Sequence, residues 1–343
     1  MDTNKSSSEF LPALESVRGI AALMVVIYHL SYRAGGDDLK FISRNFYLSV
    51  ELFFILSGFI MGKIYLDKIN RPSELFNFLI LRLGRIYPLF IFYILVHLSL
   101  FLIQQHGSLT SAQVNLLWPT LFLIQADDHT MWNYPSWSIA AEWISYCVFG
   151  FHIFLFHKIP KWVNTIIVGS ISLLAYGLLA PKNPLFCGIG GFYLGILGFI
   201  YLKNFKLPKY AVWVFLFIII FLFLHNDINN FPPNYCFTLL AIVAVMWLSG
   251  QEAQKTWLSN PWLVWLGTVS YSAYLGHSFV DLIIYKLFER NVVIPVSSFH
   301  FYALLILKLV ITYFVAHFTY KHIESPFRKV VRSWVSNLKT QSK

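Results

Sequence analysis

Residues 18–29 read RGIAALMVVIYH. The stretch has the character of a membrane-spanning helix, yet an arginine and a histidine stand at its two ends, eleven positions apart. At about 100° per residue, eleven steps make three turns, so both ionisable side chains share one face, roughly 16 Å apart along the axis. Ionisable groups inside a hydrocarbon layer are costly and are generally kept for function. The segment therefore predicts an interior polar track that crosses the membrane.

The rest of the chain agrees with that setting. Of its 343 residues 57% are hydrophobic and 12% charged, which excludes an ordinary soluble globular protein. The fold class is all-α, a polytopic membrane bundle of about ten transmembrane helices, each near the ~20 apolar residues that a bilayer requires. The spans are expected near 14–33, 46–66, 84–104, 136–157, 162–180, 185–202, 210–225, 235–250, 262–287 and 300–320. Lys and Arg concentrate in the loops that put both termini in the cytoplasm, including the tail with Arg328, Lys329, Arg332, Lys339 and Lys343. The net charge of +10 is then a topology signal rather than a nucleic-acid footprint. Its partners would be anionic membrane lipids or a phosphate-bearing substrate. Arg18 and His29 interrupt the first apolar stretch, which is expected to stay in the mature protein rather than act as a cleaved signal. Cys147, Cys187 and Cys236 have no paired or metal-like spacing, so they read as buried free thiols, with no metal and no disulfide framework.

Four further stretches carry ionisable or small residues at informative spacings. In NFYLSVELFFILSGFIMGKIY, residues 45–65, Ser57 and Gly58 allow another backbone to come close, and Glu51 is expected near the outer entrance. In LRLGRIYPLF, Arg82 and Arg85 project from the same helical face and Pro88 reorients the chain beyond them. Two guanidiniums there suit a phosphate clamp, while a positive-inside anchor explains either one alone. NYPSWSIAAEWISY starts a helix at Pro135 and sets Ser138 and Glu142 one turn apart, with Glu142 deep enough to meet His29. Its carboxylate is open to three roles: a structural hydrogen bond, an ion pair or catalysis. In WLGTVSYSAYLGHSFVD, Tyr274, His277 and Asp281 form one polar stripe, although a histidine in an apolar helix is more often a satisfied structural group. Lys308 is expected to pair with a buried acid, and HIESPFRK, residues 322–329, to end a helix at Pro326.

Taken in order, RGIAALMVVIYH, VELFFILSGF, RLGRIYP, PSWSIAAEWISY, WLGTVSYSAYLGH and ESPFR resemble the acyltransferase-3 family of integral membrane enzymes, which move acyl groups from acyl-CoA onto sugars. The resemblance runs from about residue 11 to 329, leaving 1–10 as a cytoplasmic N-terminal tail and 330–343 as a basic cytoplasmic C-terminal tail. Glu51 stands where Asp is common in the family, and an isoleucine follows Ser138 where leucine is frequent. The resemblance implies a stand-alone member in the bacterial cytoplasmic (inner) membrane, without an appended esterase-like domain.

It also implies roles for matching positions. Arg18 and His29 match the family's first-helix arginine and its essential histidine, Arg82 and Arg85 its acyl-CoA arginines, and Glu142 the acid of its WS motif. The expected catalytic set is His29, Glu142 and Arg18, with Glu142 orienting the imidazole as the third member of a triad does. Arg82, Arg85 and Lys68 would bind the acyl-CoA (acetyl-CoA by default) co-substrate. Trp137, Ser138, Tyr274, His277 and Glu51 would face the acceptor, a carbohydrate such as lipopolysaccharide, exopolysaccharide or a lipid-linked glycan. Trp118, Trp132 and Tyr134 join Trp137 as aromatics suited to stacking on sugar or to an interfacial belt. The competing class is a secondary transporter or flippase using Arg18, His29, Glu142 and Lys308 as a path, but no internal repeat is evident. A membrane scaffold is the third reading and leaves the intramembrane charges without a role.

Overall fold

The computed structural model describes residues 10–32, 45–104, 107–125, 132–179, 183–202, 217, 241–245, 247–250, 253–289 and 299–341. Among these residues the regular structure is entirely helical. The α-helices with assigned bounds are α1 (Pro12–Tyr32), α2 (Ser49–Tyr65), α3 (Pro72–Gln104), α4 (Ser111–Leu121), α5 (Trp137–Phe156) and α6 (Lys161–Leu173). They continue with α7 (Pro184–Leu202), α8 (Pro261–Thr268), α9 (Ser270–Ile284), α10 (Phe299–Thr319) and α11 (Ser325–Gln341). Seven helical stretches among the described residues are long and apolar enough to cross a membrane. The expected spans at 210–225 and 235–250 lie mostly outside the described residues.

The outward faces are apolar, as a lipid solvent demands. Leu95, Ile103, Leu155, Leu173, Val310 and Phe314 are all exposed, whereas His97, Ser145, His152, Ser172, Lys308 and Thr312 of the same helices are buried. The inner packing depends on small residues. A Cβ built on Gly58 of α2 would lie 1.8 Å from the carbonyl oxygen of Phe192 in α7, and one on Gly195 would lie 2.0 Å from that of Ile55. The two backbones touch, so this crossing accepts only glycine, and the close approach expected at Ser57–Gly58 is made by Gly58. Gly19 of α1 and Gly267 of α8 form a second such crossing; a Cβ on Gly267 would meet the carbonyl of Glu15 at 1.9 Å.

Three expectations about helix boundaries are corrected. α3 starts at Pro72, well before residue 84, and continues through Pro88 to Gln104, a run of 33 residues. At about 1.5 Å per residue it is roughly 50 Å long, beyond the ~30 Å hydrocarbon core, so its first turns project past the bilayer. The span expected at 262–287 is interrupted at Val269 between α8 and α9 and closes in a π-helical turn, Tyr285–Glu289. The close approach of Gly267 to α1 ends α8, and the new start at Ser270 turns that residue and Tyr271 toward the bundle interior. Pro326 does not end a helix. The helical run from Phe299 continues through a π-helical turn, Tyr320–Glu324, and past Pro326 into α11. α11 then packs back along the projecting part of α3, with Val331 filling the space over Gly84 and Trp334 edge-on to Phe76.

Lys308 of α10 finds its acid in Asp281 of α9, at 2.9 Å with both side chains buried. Removing one member of such a pair strands the other charge in a low-dielectric interior, at a cost of about 3–5 kcal/mol. Lys308→Met should therefore lower the thermal midpoint of the detergent-solubilised protein, and Asp281→Leu/Lys308→Met should recover much of the loss. Thermal unfolding of the two variants, followed by helical circular dichroism, checks this.

Candidate active site

The inward face of α9 orders the site by depth. Read from the pole of the bundle where α1 starts, Tyr271, Tyr274, His277 and Asp281 succeed one another at spacings of three and four, about one helical turn each. A cavity opens at the level of Tyr271 and Tyr274. Its polar lining consists of Arg18, Ser57, Arg85, Ser138, Glu142 and Ser270 together with those two tyrosines.

Within the cavity the charges are differently committed. Arg18 donates from Nη1 to both carboxylate oxygens of Glu15, each at 3.0 Å, one turn back on α1. Glu142 accepts a hydrogen bond from Ser57 Oγ at 2.9 Å and another, very short, from the Tyr146 hydroxyl one turn along α5. Those two hydroxyls are themselves 2.8 Å apart, so the carboxylate is gripped from α2 and from its own helix. Among the described residues Arg85 makes neither an ion pair nor a hydrogen bond, although Glu142, Glu15 and Glu324 lie within electrostatic reach. Its guanidinium lines the cavity with its donors uncommitted. Ser138 and Tyr274 form the wall toward the opposite pole, with hydroxyls 2.7 Å apart and both bonded to the carbonyl of Pro135.

One turn beyond Tyr274 the two imidazoles meet. His277 Nε2 is 3.1 Å from His29 Nδ1, and the rings stack with centroids 5.0 Å apart. Tyr134 closes on both, edge-on to His29 at 4.8 Å and to His277 at 5.5 Å. His29 is half-buried, whereas His277 is completely buried. The expected meeting of His29 with Glu142 is replaced by this imidazole pair. Glu142 sits lower in the bundle, beside Arg18 and Arg85, because α5 has already descended one and a half turns from Trp137.

The remaining candidates are dispersed. Arg82 does not share the cavity with Arg85. Its guanidinium lies over the rings of Tyr65, Phe78 and Tyr146 at 5.5–6.0 Å and donates to the Tyr65 hydroxyl at 3.3 Å. Tyr146 thus stands between the two arginines that helical spacing put side by side. Lys68 opens onto a separate cleft with Lys63 and Lys161. Glu51 is buried rather than placed at an outer entrance; Tyr176 donates to it at 2.6 Å and the Cys187 thiol at 3.7 Å. Trp137 is half-buried against Phe54, and Trp132 is fully buried against Phe101, which removes it from the sugar-stacking set. Among the described residues no group of His, Cys, Asp or Glu has the makings of a metal site.

Several polar groups had no role in the sequence reading. Tyr146 was legible, because it stands four residues after Glu142 on one helix. Ser57 was not, since its partner lies on a helix whose neighbourhood no local pattern reveals. The same holds for the chain from Asn133 through Ser278 to His97, which ties the start of α5 to α9 and α3 at 2.8 and 3.4 Å.

Comparison with known proteins supplies the context. The family model described as "Acyltransferase domain", acyltransferase-3, matches residues 11–318. The chain is 24% identical to the "Putative O-acetyltransferase" of Staphylococcus aureus strain COL over 95% of its own length and 59% of that protein's. It is also 24% identical to the O-acetyltransferase OatA of Staphylococcus aureus strain NCTC 8325, over 94% of this chain and 58% of that one. The chain thus spans less than two thirds of the length of these relatives. No solved structure matches it. The ordered segments and the extent of the family match lead to one identification: the chain belongs to the acyltransferase-3 family.

Proposed function

We propose that the protein transfers an acyl group, acetyl by default, from acyl-CoA on the cytoplasmic side to a hydroxyl of a carbohydrate that reaches the site from the other side of the membrane. The observation that carries this reading is the uncommitted guanidinium of Arg85 inside the cavity, next to a carboxylate and within two helical turns of an imidazole pair. A guanidinium with free donors suits an oxyanion or a polarised carbonyl.

In the proposed reaction the acyl-CoA enters from the pole where α1 starts, and its thioester lies in the cavity against Arg85 and Arg18. The acceptor hydroxyl approaches from the Tyr134 side. His29 takes the hydroxyl proton as the oxygen attacks the thioester carbonyl carbon. The carbon–sulfur bond then breaks, the proton passes from the imidazolium to the departing thiolate, and the products are an ester and free coenzyme A. Such general-base assistance is worth about 10²–10⁴-fold in rate. His277 is the orienting partner in this scheme. When His29 Nδ1 carries the proton and donates to His277 Nε2, Nε2 is the basic nitrogen of His29. Glu142 has the different task of holding the cationic wall in place, together with Ser57 and Tyr146.

Two variants test the assignment in purified protein supplied with acetyl-CoA and a glycan acceptor. His29→Ala should lower the release of coenzyme A thiol by about 10²–10⁴-fold in protein that keeps its helical circular dichroism at the assay temperature, and a near wild-type rate would refute the base. Arg85→Ala should act on the donor. A lost charge-assisted contact of about 1.5–3 kcal/mol raises the KM for acetyl-CoA roughly 10- to 150-fold, and an unchanged KM would remove Arg85 from the donor site.

A further inference from the structure

A second recess lies away from the cavity and shares none of its lining residues. It is formed where α2 ends, α6 starts and α7 ends, at the pole from which α1 starts. Lys63, Lys68 and Lys161 surround it, and Asp67 is the one acid in its lining, so the rim carries a net excess of two positive charges. Its floor is apolar, formed by Phe199 and Ile200 of α7. Asn164 contributes an amide whose Oδ1 is already held by His152 Nε2 at 2.8 Å, which leaves its N–H donors for another group.

The surroundings of this recess belong to the lipid boundary. α6 faces outward through Ile166 and Leu173, and Trp162, beside Lys161, is 68% exposed, as expected for an aromatic at the bilayer interface. Ammonium groups above an apolar floor, on a helix whose next turns face hydrocarbon, match an amphiphile with an anionic head and acyl tails. A free phosphate would use only the lysines, and the nucleotide of coenzyme A would leave the apolar exit along α6 without purpose. We propose that the recess bounded by Lys63, Lys68 and Lys161 seats the phosphate headgroup of an anionic phospholipid from the surrounding bilayer, separately from the acyl-donor site.

Native mass spectrometry of the full chain in detergent, titrated with phosphatidylglycerol or phosphatidylcholine, reads the occupancy directly. The wild-type protein should retain phosphatidylglycerol in preference, and each lysine changed to Gln should weaken that retention about fivefold, the effect of one juxtamembrane charge. Arg85→Met should leave the retention unchanged, since Arg85 lines the other cavity. Coenzyme A and inorganic phosphate serve as competitors. Persistence of the bound lipid in excess of both supports the proposal. Equal retention in K63Q/K68Q/K161Q, or displacement of the lipid by coenzyme A or phosphate alone, overturns it. The lysines are exposed, so the triple variant should fold; a thermal midpoint equal to wild type verifies this, and K63Q/K161Q provides the same reading with fewer changes.

Discussion

A polar group inside this bundle has no bulk water to turn to, and that constraint determines which helices become neighbours. Each inward-facing ionisable or hydroxyl group needs a partner, and the partners mostly sit on another helix. His29 of α1 needs His277 of α9, Glu142 of α5 needs Ser57 of α2, and Asp281 of α9 needs Lys308 of α10. Near the first pole Glu324, just before α11, accepts from Ser272 at 2.8 Å and pairs with Arg328 at 3.3 Å. Apolar packing between such helices and lipid is nearly neutral, because lipid tails are as apolar as leucine. Polar pairing and close backbone contact are therefore what distinguish this arrangement from others of equal hydrophobicity.

The two glycine crossings set the distances over which those pairings operate. α2 and α7 are drawn into backbone contact at Gly58 and Gly195, and the same rotation of α2 that presents Gly58 to α7 turns Ser57 toward α5. Two adjacent residues thus perform two tasks, one steric and one polar. At the other crossing Gly267 lies against Glu15 while that carboxylate holds Arg18, so the contact that ends α8 also fixes the helix carrying one of the cavity's cations. Packing and site geometry are consequently inseparable in this part of the molecule.

Much of this was legible in the sequence because helical periodicity is a local rule. The shared face of Tyr274, His277 and Asp281 follows from spacing alone, as does the stretch of α1 between Arg18 and His29. What periodicity could not supply was the identity of the helix across the gap. Arg82 and Arg85 share a face by spacing, yet the aromatic rings of Tyr65, Phe78 and Tyr146 capture the first and leave the second facing the cavity. Glu51 reads as an entrance residue until Tyr176 and Cys187, more than a hundred positions away, close over it. Lys308 announces a buried acid without naming it. The start of α3 differs for another reason: Arg82 and Arg85 interrupt the apolar run that begins at Leu75, and a span limited to the bilayer thickness is then read only from beyond them.

The imidazole pair sets which nitrogen of His29 would serve the proposed chemistry. A proton on His29 Nδ1 donated to His277 Nε2 orients the ring and makes Nε2 of His29 its basic nitrogen. In the proposed transfer that nitrogen takes the hydroxyl proton and passes it to the sulfur that leaves. For a direct transfer, in which one proton must move from oxygen to sulfur within a single event, a base of that kind is well matched to its task. In the same proposal the carboxylate of Glu142, which lines the cavity with Arg85, would balance the guanidinium once the anionic oxygen of the transition state has gone. Separating the orienting group from the charge-balancing group in this way suits a site that receives its two substrates from opposite sides.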